Sequence, residues 1–469
     1  MNDLAVSLDV HSATPLYEQI YNYIKNEIQN GGLPFKERLP SSRKLSDYLQ
    51  VSRTTVNMAY EQLVAEGYLE AVPHRGYFVC DLSGLVHLKP ESRSVTENHK
   101  SDETNYEFDF SPHGVDLNSF PHNAWRKLSK NLLMEEDKYL FRLGDPQGEL
   151  QLRETIAGYL HQARGVNALP ERIIVGAGND FLLLLLCSMF GGSMRIAMES
   201  PTYRKAYDLF RNLSNEVQIV EMDESGMCVD QLEQTEAWLA YVMPSHQYPL
   251  GTVMPVKRRM QLLSWAASDA GEEKRYIIED DYDSEFRYKG KPIPALQGYD
   301  RDDCVIYIGT FSKSIAPSIR VSYMVLPESL MDLYRQRARG ISSTVSRVDQ
   351  MLIAGFLNEG YYERHLNRMR AVYRGRHDAL LAELKAFRKI CQVSGENAGV
   401  HLLLTFTNGM TEEEAIRRAA ERDVRVYGLS GYYVGDARKH LQDTVLLGYA
   451  NLSEQEIHDA LSRLRKAWL

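Results

Sequence analysis

The sequence predicts two folded parts of different class, a small N-terminal α+β unit and a larger α/β unit with a mostly parallel sheet. Within residues 1–80, three helical patterns precede a hairpin pattern. In residues 106–469, short apolar runs alternate with longer helical patterns, which is typical of a sheet covered by helices. The polar residues 81–105 between them predict a linker. The chain is therefore expected to be multidomain, as its 469 residues also indicate.

Composition excludes several classes of protein. The content of 44% hydrophobic and 25% charged residues is that of a soluble globular protein, and the net charge of −9 carries no nucleic-acid signal. The five cysteines lack CxxC spacing, which argues against a zinc site or a disulfide framework, so no metal is expected. The densest apolar run, 181–187, is too short to span a membrane, and no leader pattern is seen. We expect a cytoplasmic protein.

The small unit begins with helical spacing of apolar residues over 16–29. Two glycines end this helix, and two serines open a second one at Ser41. Ser52 is a plausible cap for a third helix, from Arg53 to about Ala65. Two β-like segments, 68–72 and 76–80, then predict a hairpin.

The second and third helices meet at a tight turn near Gln50, which is the helix-turn-helix arrangement. The first turn of the third helix would present polar side chains to a major groove. Residues 34–60 contain five basic and two acidic residues, so the local positive charge available for DNA phosphates is modest. A protein-interaction module is the alternative for such a short unit. The candidate DNA contacts are Arg43, Arg53, Thr54, Thr55 and Asn57.

The strongest chemical signal lies at the end of a strand, in the run from Tyr307 to Lys313. Ligands of open α/β sheets gather at the carboxyl ends of strands. A lysine with a depressed pKa at such an edge is able to form an imine with an aldehyde cofactor.

Other strand ends supply companions for this lysine. Asp280 could hold a pyridine nitrogen protonated, and the backbone of Gly176 to Asn179 could cradle a phosphate at a helix N-terminus. Arg320 could reach the same phosphate, and the ring of Tyr203 could cover a planar cofactor. Each of these residues alone would more often have a purely structural role. Their common position at strand ends favours a single cofactor site.

Several motifs resemble known families. Leu39-Pro-Ser-Ser-Arg-Lys-Leu, Val51-Ser-Arg-Thr-Thr-Val and Arg75-Gly-Tyr-Phe-Val resemble the GntR-type winged helix-turn-helix over residues 12–80. The motifs Pro244-Ser-His-Gln-Tyr-Pro, Ile278-Glu-Asp-Asp-Tyr-Asp and Gly309-Thr-Phe-Ser-Lys resemble the fold-type-I, aspartate-aminotransferase-like pyridoxal-phosphate enzymes over residues 106–469. The combination resembles the MocR/GabR subfamily of transcription regulators.

The resemblance implies roles for individual residues. Arg43, Arg53, Thr55 and Asn57 would contact operator DNA, while Arg75 and Gly76 would form a wing that enters the minor groove. Lys313 would form the Schiff base with pyridoxal 5′-phosphate, Asp280 would pair with the pyridine nitrogen, Tyr282 would reach the ring hydroxyl and Tyr203 would stack on the ring. A homodimer is implied, with each head packed on the partner's large domain. The phosphate would be surrounded by Ala177, Gly178, Asn179, Thr310, Ser312 and Arg320.

Three departures from active aminotransferases bear on turnover. Tyr248 stands where an asparagine normally contacts the cofactor hydroxyl, Leu143 replaces a subunit-bridging tyrosine, and Thr444 lies near the usual arginine for a substrate carboxylate. We therefore expect a transcription regulator that senses an amino compound by exchanging one imine for another. A working aminotransferase with an accessory DNA-binding head is the alternative. A regulator whose large domain is only an oligomerisation scaffold is the third hypothesis.

Overall fold

The computed structural model describes residues 8, 9, 12, 14–81, 106–134, 138–268, 274–288, 293–396, 398–435 and 443–469. The chain divides into two compact units, Met1–Glu103 and Thr104–Leu469. The predicted linker lies, apart from Asp81, outside the described residues. The finer limits 1–80 and 106–469 stay a prediction.

The first unit is a three-helix bundle with a hairpin. Ser41 and Ser52 cap the second and third helices by accepting hydrogen bonds from the backbone N–H groups of Lys44 and Thr55. Gln50, with φ of 55°, makes the left-handed turn between them. The elements are α1 (Leu16–Gln29), α2 (Ser42–Leu49), α3 (Arg53–Ala65), β1 (Leu69–Val72) and β2 (Gly76–Val79), the last two paired antiparallel.

The second unit is a mixed sheet covered by helices, followed by a smaller sheet. Its helices are α4 (His122–Met134), α5 (Leu150–Arg164), α6 (Asn179–Phe190), α7 (Arg204–Asn212), α8 (Val229–Leu232), α9 (Val256–Ala267), α10 (Glu328–Arg337), α11 (Arg347–Asn358), α12 (Tyr361–Leu384), α13 (Glu412–Ala420) and α14 (Glu454–Trp468). Its strands are β3 (Phe108–Asp109), β4 (Ile173–Gly176), β5 (Arg195–Ser200), β6 (Glu216–Asp223), β7 (Gly226–Met227), β8 (Leu239–Val242), β9 (Tyr276–Asp281), β10 (Val305–Thr310), β11 (Ser322–Val325), β12 (Cys391–Ser394), β13 (His401–Phe406), β14 (Val424–Arg425), β15 (Tyr427–Gly428) and β16 (Thr444–Gly448).

The large sheet has the strand order β4-β11-β10-β9-β8-β5-β6-β7. The pairs from β10 through β9, β8 and β5 to β6 are parallel, and β11 runs antiparallel to both of its neighbours. In the register of the two central strands, Ile308 lies beside Asp280. The loops that follow β9 and β10 therefore leave the sheet at the same edge.

Alternate residues of the strands face opposite cores, as period-two patterning requires. Ile306 and Ile308 of β10 pack with α6, while Tyr307 between them packs with α5 and α12. The smaller sheet, in the order β12-β13-β16-β15, is antiparallel and packs on α14. None of the described helices combines the length and the apolar character that a membrane crossing needs.

Candidate functional site

A cavity opens at the carboxyl ends of the central strands. Most of the residues that the sequence singled out for a cofactor meet there, although they come from five separate stretches of chain. Its wall is formed by His113, Asn179, Asp180, Tyr203, Lys205, Met243, Tyr248, Asp280, Tyr282, Thr310, Ser312, Lys313 and Arg320.

Lys313 projects into this cavity from the loop after β10. Its Nζ atom lies 3.5 Å from the carbonyl oxygen of Pro112. Burial lowers the pKa of Lys313 to about 8, although the negative charge of Asp283 acts in the opposite direction. An amine with this pKa is partly unprotonated near neutral pH, which nucleophilic attack on a carbonyl requires.

Asp280 supplies a buried carboxylate on the next strand. Its Oδ2 atom accepts a hydrogen bond from the Tyr241 hydroxyl at 2.5 Å, and its Oδ1 atom accepts one from Nδ2 of Asn179 at 3.0 Å. Burial raises the pKa of Asp280 to about 6. Neither partner is a cation, so a ligand with a protonated ring nitrogen would supply the counter-charge that a buried carboxylate needs.

The expected phosphate site, which we call the phosphate cup, is formed by Gly178 at the start of α6 and by Arg320. Gly178 precedes this helix with φ of +91°, and a Cβ atom on it would lie 2.4 Å from Nη2 of Arg320. Arg320 also meets Asp180 at 3.4 Å, while the Ser312 hydroxyl donates to the carbonyl of Ile319 at 2.8 Å. A guanidinium beside a helix N-terminus suits a dianion, so these residues fit a phosphorylated cofactor.

Ala177 differs from the role expected for it. Its backbone N–H donates to Oγ1 of Thr344 at 3.0 Å, and it lines a neighbouring cavity together with Thr344 and Arg320. The amide is therefore already used by a side chain that lies far away in the sequence. A phosphate contact through Ala177 would require this hydrogen bond to be shared or released.

Aromatic side chains form another wall of the cavity. The Tyr248 ring meets the rings of Tyr203 and Tyr282 edge-on, at 6.1 and 5.8 Å between centroids. The Tyr248 hydroxyl donates to the hydroxyl of Tyr432 at 2.8 Å and lies 3.3 Å from Nε2 of His113. The Tyr248 hydroxyl is therefore already hydrogen-bonded to another side chain, and its expected correspondence to an asparagine stays a prediction.

Four residues of the cavity wall were missed by the sequence analysis, namely His113, Asp180, Lys205 and Met243, and the two basic ones bear on its charge. Lys205 stands at the start of α7, two positions after Tyr203, and its charge acts on both Lys313 and His113. Burial and the charge of Lys313 lower the pKa of His113 to about 4, so this histidine is neutral. Helical spacing gave no reason to separate Lys205 from an ordinary surface lysine.

The other two departures lie elsewhere. The Leu143 side chain is 88% exposed, on the stretch between α4 and α5. Thr444 is buried at the start of β16, where its hydroxyl lies 2.9 Å from that of Thr405. Thr444 does not line the cavity, and its relation to a substrate carboxylate stays a prediction.

The predicted DNA contacts lie on three parts of the first unit, namely α2, the first turns of α3 and the hairpin. Arg43, Arg53 and Thr54 are exposed, whereas Asn57 is half-buried. The Thr55 hydroxyl lies 2.8 Å from that of Ser52, so this residue also serves the helix cap. On the hairpin, the Arg75 guanidinium lies over the Phe78 ring at 5.7 Å, and Gly76 has φ of +103°. Their roles in DNA binding stay predictions.

Comparison with known proteins agrees with the division of the chain into two units. The sequence model of the family aminotransferase class I and II matches residues 115–464, and that of the family bacterial regulatory proteins, gntR, matches residues 16–79. The chain belongs to the family that joins these two domains. The confirmed fold class is thus a GntR-type helix-turn-helix followed by a fold-type-I aminotransferase domain.

Relatives span the whole chain. The uncharacterized HTH-type transcriptional regulators YdeL and YhdI of Bacillus subtilis are 40% and 39% identical, covering 97% and 99% of this chain and 97% and 98% of their own. The probable rhizopine catabolism regulatory protein MocR of Rhizobium meliloti is 30% identical over 98% of this chain and 95% of its own. The resemblance to the MocR subfamily is confirmed, and the regulator hypothesis is favoured over the working-enzyme alternative.

Solved structures of aminotransferases share the fold of the second unit. The multiple substrate aminotransferase of Thermococcus profundus matches with a TM-score of 0.68 and 24% identity, covering 78% of this chain and 92% of its own. The α-aminoadipate aminotransferase LysN of Thermus thermophilus, solved with N-(5′-phosphopyridoxyl)-L-leucine, matches with a TM-score of 0.66 and 26% identity over 77% and 91%.

Proposed function

We propose that this regulator binds pyridoxal 5′-phosphate through Lys313 and changes its binding to operator DNA when an amino compound reaches the cofactor. The observation that carries this proposal is one cavity holding a lysine amine of lowered pKa, a buried carboxylate at Asp280 and the guanidinium of Arg320. Lys313 would hold the cofactor through its side-chain amine, and the bound aldehyde would supply an electrophilic carbon for which the effector amine competes with Lys313. Because operator DNA is in the cytoplasm, we place the protein there.

A free cation indicates the class of the effector. Lys205 lies beside Lys313 in the cavity wall, and none of the ion pairs among the described residues involves it. With Asp280 and Arg320 assigned to the cofactor, Lys205 is the charge left to meet the rest of the effector. An amino compound with an anionic group, such as a carboxylate or sulfonate, fits this arrangement better than a polyamine.

Exposed apolar side chains support a homodimer. Leu133, Met134, Tyr139, Phe141 and Leu143 are each more than half exposed within a short stretch of sequence. Contiguous exposed apolar surface marks interaction sites. Light scattering should show a dimer, and Phe141→Asp should weaken it. A wild-type protein that stays monomeric at micromolar concentration would refute this assignment.

The cofactor assignment is tested by reduction with borohydride. Purified protein incubated with pyridoxal phosphate should absorb in the visible or near-visible range, and reduction should fix the adduct on Lys313, as read by peptide mass spectrometry. Lys313→Ala should lose the band, while Lys127→Ala, a surface control, should keep it. An adduct on another lysine would overturn the site.

The working aminotransferase stays a second candidate because Lys313, Asp280 and Arg320 are retained together. Spectral change and keto-acid formation should be followed together, with amino acids and keto acids supplied in excess. The regulator hypothesis expects a spectral shift and altered operator binding with slow or absent turnover. Rapid repeated turnover would make catalysis the primary function.

A further inference from the structure

Among the described residues, five charged side chains line the cavity, and the proposed function uses four of them. Lys313 and Arg320 would hold the cofactor, and Asp280 would pair with its ring nitrogen. Lys205 would meet an anionic effector. The fifth is Asp180, a second carboxylate in the same wall, which stands in the first turn of α6. An acidic side chain beside an expected phosphate site has to be explained.

Two positive groups surround the Asp180 carboxylate. Its Oδ2 atom lies 3.4 Å from Nη2 of Arg320. The first backbone N–H groups of an α-helix carry partial positive charge, and a carboxylate in the first turn is stabilised by them. The same guanidinium and the same helix N-terminus form the phosphate cup. Asp180 and a phosphate group would therefore use the same positive charges.

The negative charge of Asp180 acts inside the cavity. Burial raises the pKa of Tyr203 above its ordinary value, and the charges of Asp180 and Asp280 raise it further. The raised pKa of Asp280 is due mainly to burial, and the charge of Asp180 adds to it. Tyr203 and Asp280 both line the cavity. A second anion in this space would therefore be repelled by Asp180.

We propose that Asp180 is a specificity-determining residue that lowers the affinity of the cavity for a phosphate group. It does so by pairing with Arg320 and by repelling the dianion. A phosphorylated ligand is then bound less tightly than the guanidinium and the helix N-terminus alone would allow. This inference rests on the proposed cofactor site, because it concerns the phosphate end of that ligand.

Two opposite effects of Asp180 have to be compared. Its ion pair with Arg320 could help binding by holding the guanidinium in place. The two side chains are 48% and 51% exposed, and such a pair changes an equilibrium by at most about fivefold. A phosphate carries almost two negative charges, and repulsion by a nearby half-exposed carboxylate corresponds to roughly 10- to 100-fold in affinity. Repulsion therefore outweighs the help from the ion pair.

Asp180→Asn removes the charge and keeps the shape of the side chain. It should bind pyridoxal phosphate about 3- to 20-fold more tightly than wild type, which is the repulsion reduced by the lost ion pair. Asp332→Asn is the matched control, because Asp332 is exposed, meets Arg335 at 2.7 Å and does not line the cavity. It changes the net charge by the same amount and should keep wild-type affinity.

The first test compares pyridoxal phosphate with pyridoxal, which has the same ring and aldehyde but no phosphate. Both ligands are titrated into cofactor-free protein and followed by absorbance. The gain in Asp180→Asn should be confined to pyridoxal phosphate. An equal gain for pyridoxal would place the effect of Asp180 at the ring or the aldehyde and overturn the proposal. An unchanged or weaker affinity for pyridoxal phosphate would also overturn it.

The second test uses inorganic phosphate and needs no reaction at Lys313. Thermal unfolding of cofactor-free protein is measured over a range of phosphate concentrations at constant ionic strength, because salt screens exposed charges. Asp180→Asn should be stabilised at lower phosphate concentration than wild type or Asp332→Asn. If all three proteins bind phosphate and pyridoxal phosphate equally, only this inference fails. If none of them binds either ligand, the proposed cofactor site fails together with it.

Discussion

Gly178→Ala should separate cofactor binding from folding more cleanly than the loss of any charged side chain. The new methyl group would lie 2.4 Å from Nη2 and 2.9 Å from Cζ of Arg320, far inside contact distance. Arg320 is half-exposed and flexible, so it can move away. The phosphate cup would then lose its guanidinium while the core of the domain stays intact.

The magnitude follows from two separate costs. Alanine at φ of +91° is strained, which should lower the free energy of unfolding by about 1–3 kcal/mol. This strain is present with and without cofactor, so it cancels in the binding equilibrium. Displacing Arg320 removes a charge-assisted hydrogen bond worth roughly 1.5–3 kcal/mol, which weakens pyridoxal phosphate binding by about 10- to 100-fold.

The assay is equilibrium titration of cofactor-free protein with pyridoxal phosphate, followed by the visible band. Gly192→Ala is the matched control, because Gly192 also has a positive φ, +82°, but a Cβ atom there would have no neighbour within 4 Å. It should share the loss of stability and keep wild-type affinity. If both variants bind the cofactor equally well, the Gly178 backbone and Arg320 do not form the phosphate site.

Three further predictions concern the charged residues. Arg53→Ala should weaken operator binding by about 1–3 kcal/mol and relax sequence discrimination in footprinting. An unchanged footprint would show that Arg53 is not one of the DNA contacts. Lys205→Ala should weaken the binding of anionic amino compounds by about 10- to 100-fold in spectral titrations, whereas Lys205→Arg should keep it. The affinity for amines without an anionic group should not change, and an equal loss of affinity for both ligand classes would contradict this role. Since Lys313 is deprotonated above its pKa of about 8, its capture of pyridoxal phosphate should speed up as pH rises and level off there. A rate still climbing at pH 10 would instead indicate an ordinary lysine.

Local patterns were enough to predict the elements that carry the site. The third helix runs over Arg53–Ala65 as the cap and apolar spacing indicate. Lys313 follows β10, and Asp280 lies near the end of the neighbouring parallel strand β9, which runs two residues further than the sequence indicated. Contacts between distant segments were not predictable in this way. The amide of Ala177 bonds to Thr344, 167 positions later, and no pattern near either residue reveals that contact.

The same limit explains why Tyr248 was recognised as a departure but not understood. Sequence comparison placed it where an asparagine would contact the ring hydroxyl of the cofactor. Its own hydroxyl donates to Tyr432, so it is not free to replace that asparagine. Tyr282 then remains as the donor expected for the ring oxygen. A ring oxygen that depends on one donor loses its whole charge-assisted hydrogen bond when that donor is removed, so Tyr282→Phe should raise the pKa of the visible band of the cofactor-loaded protein by about one to two units.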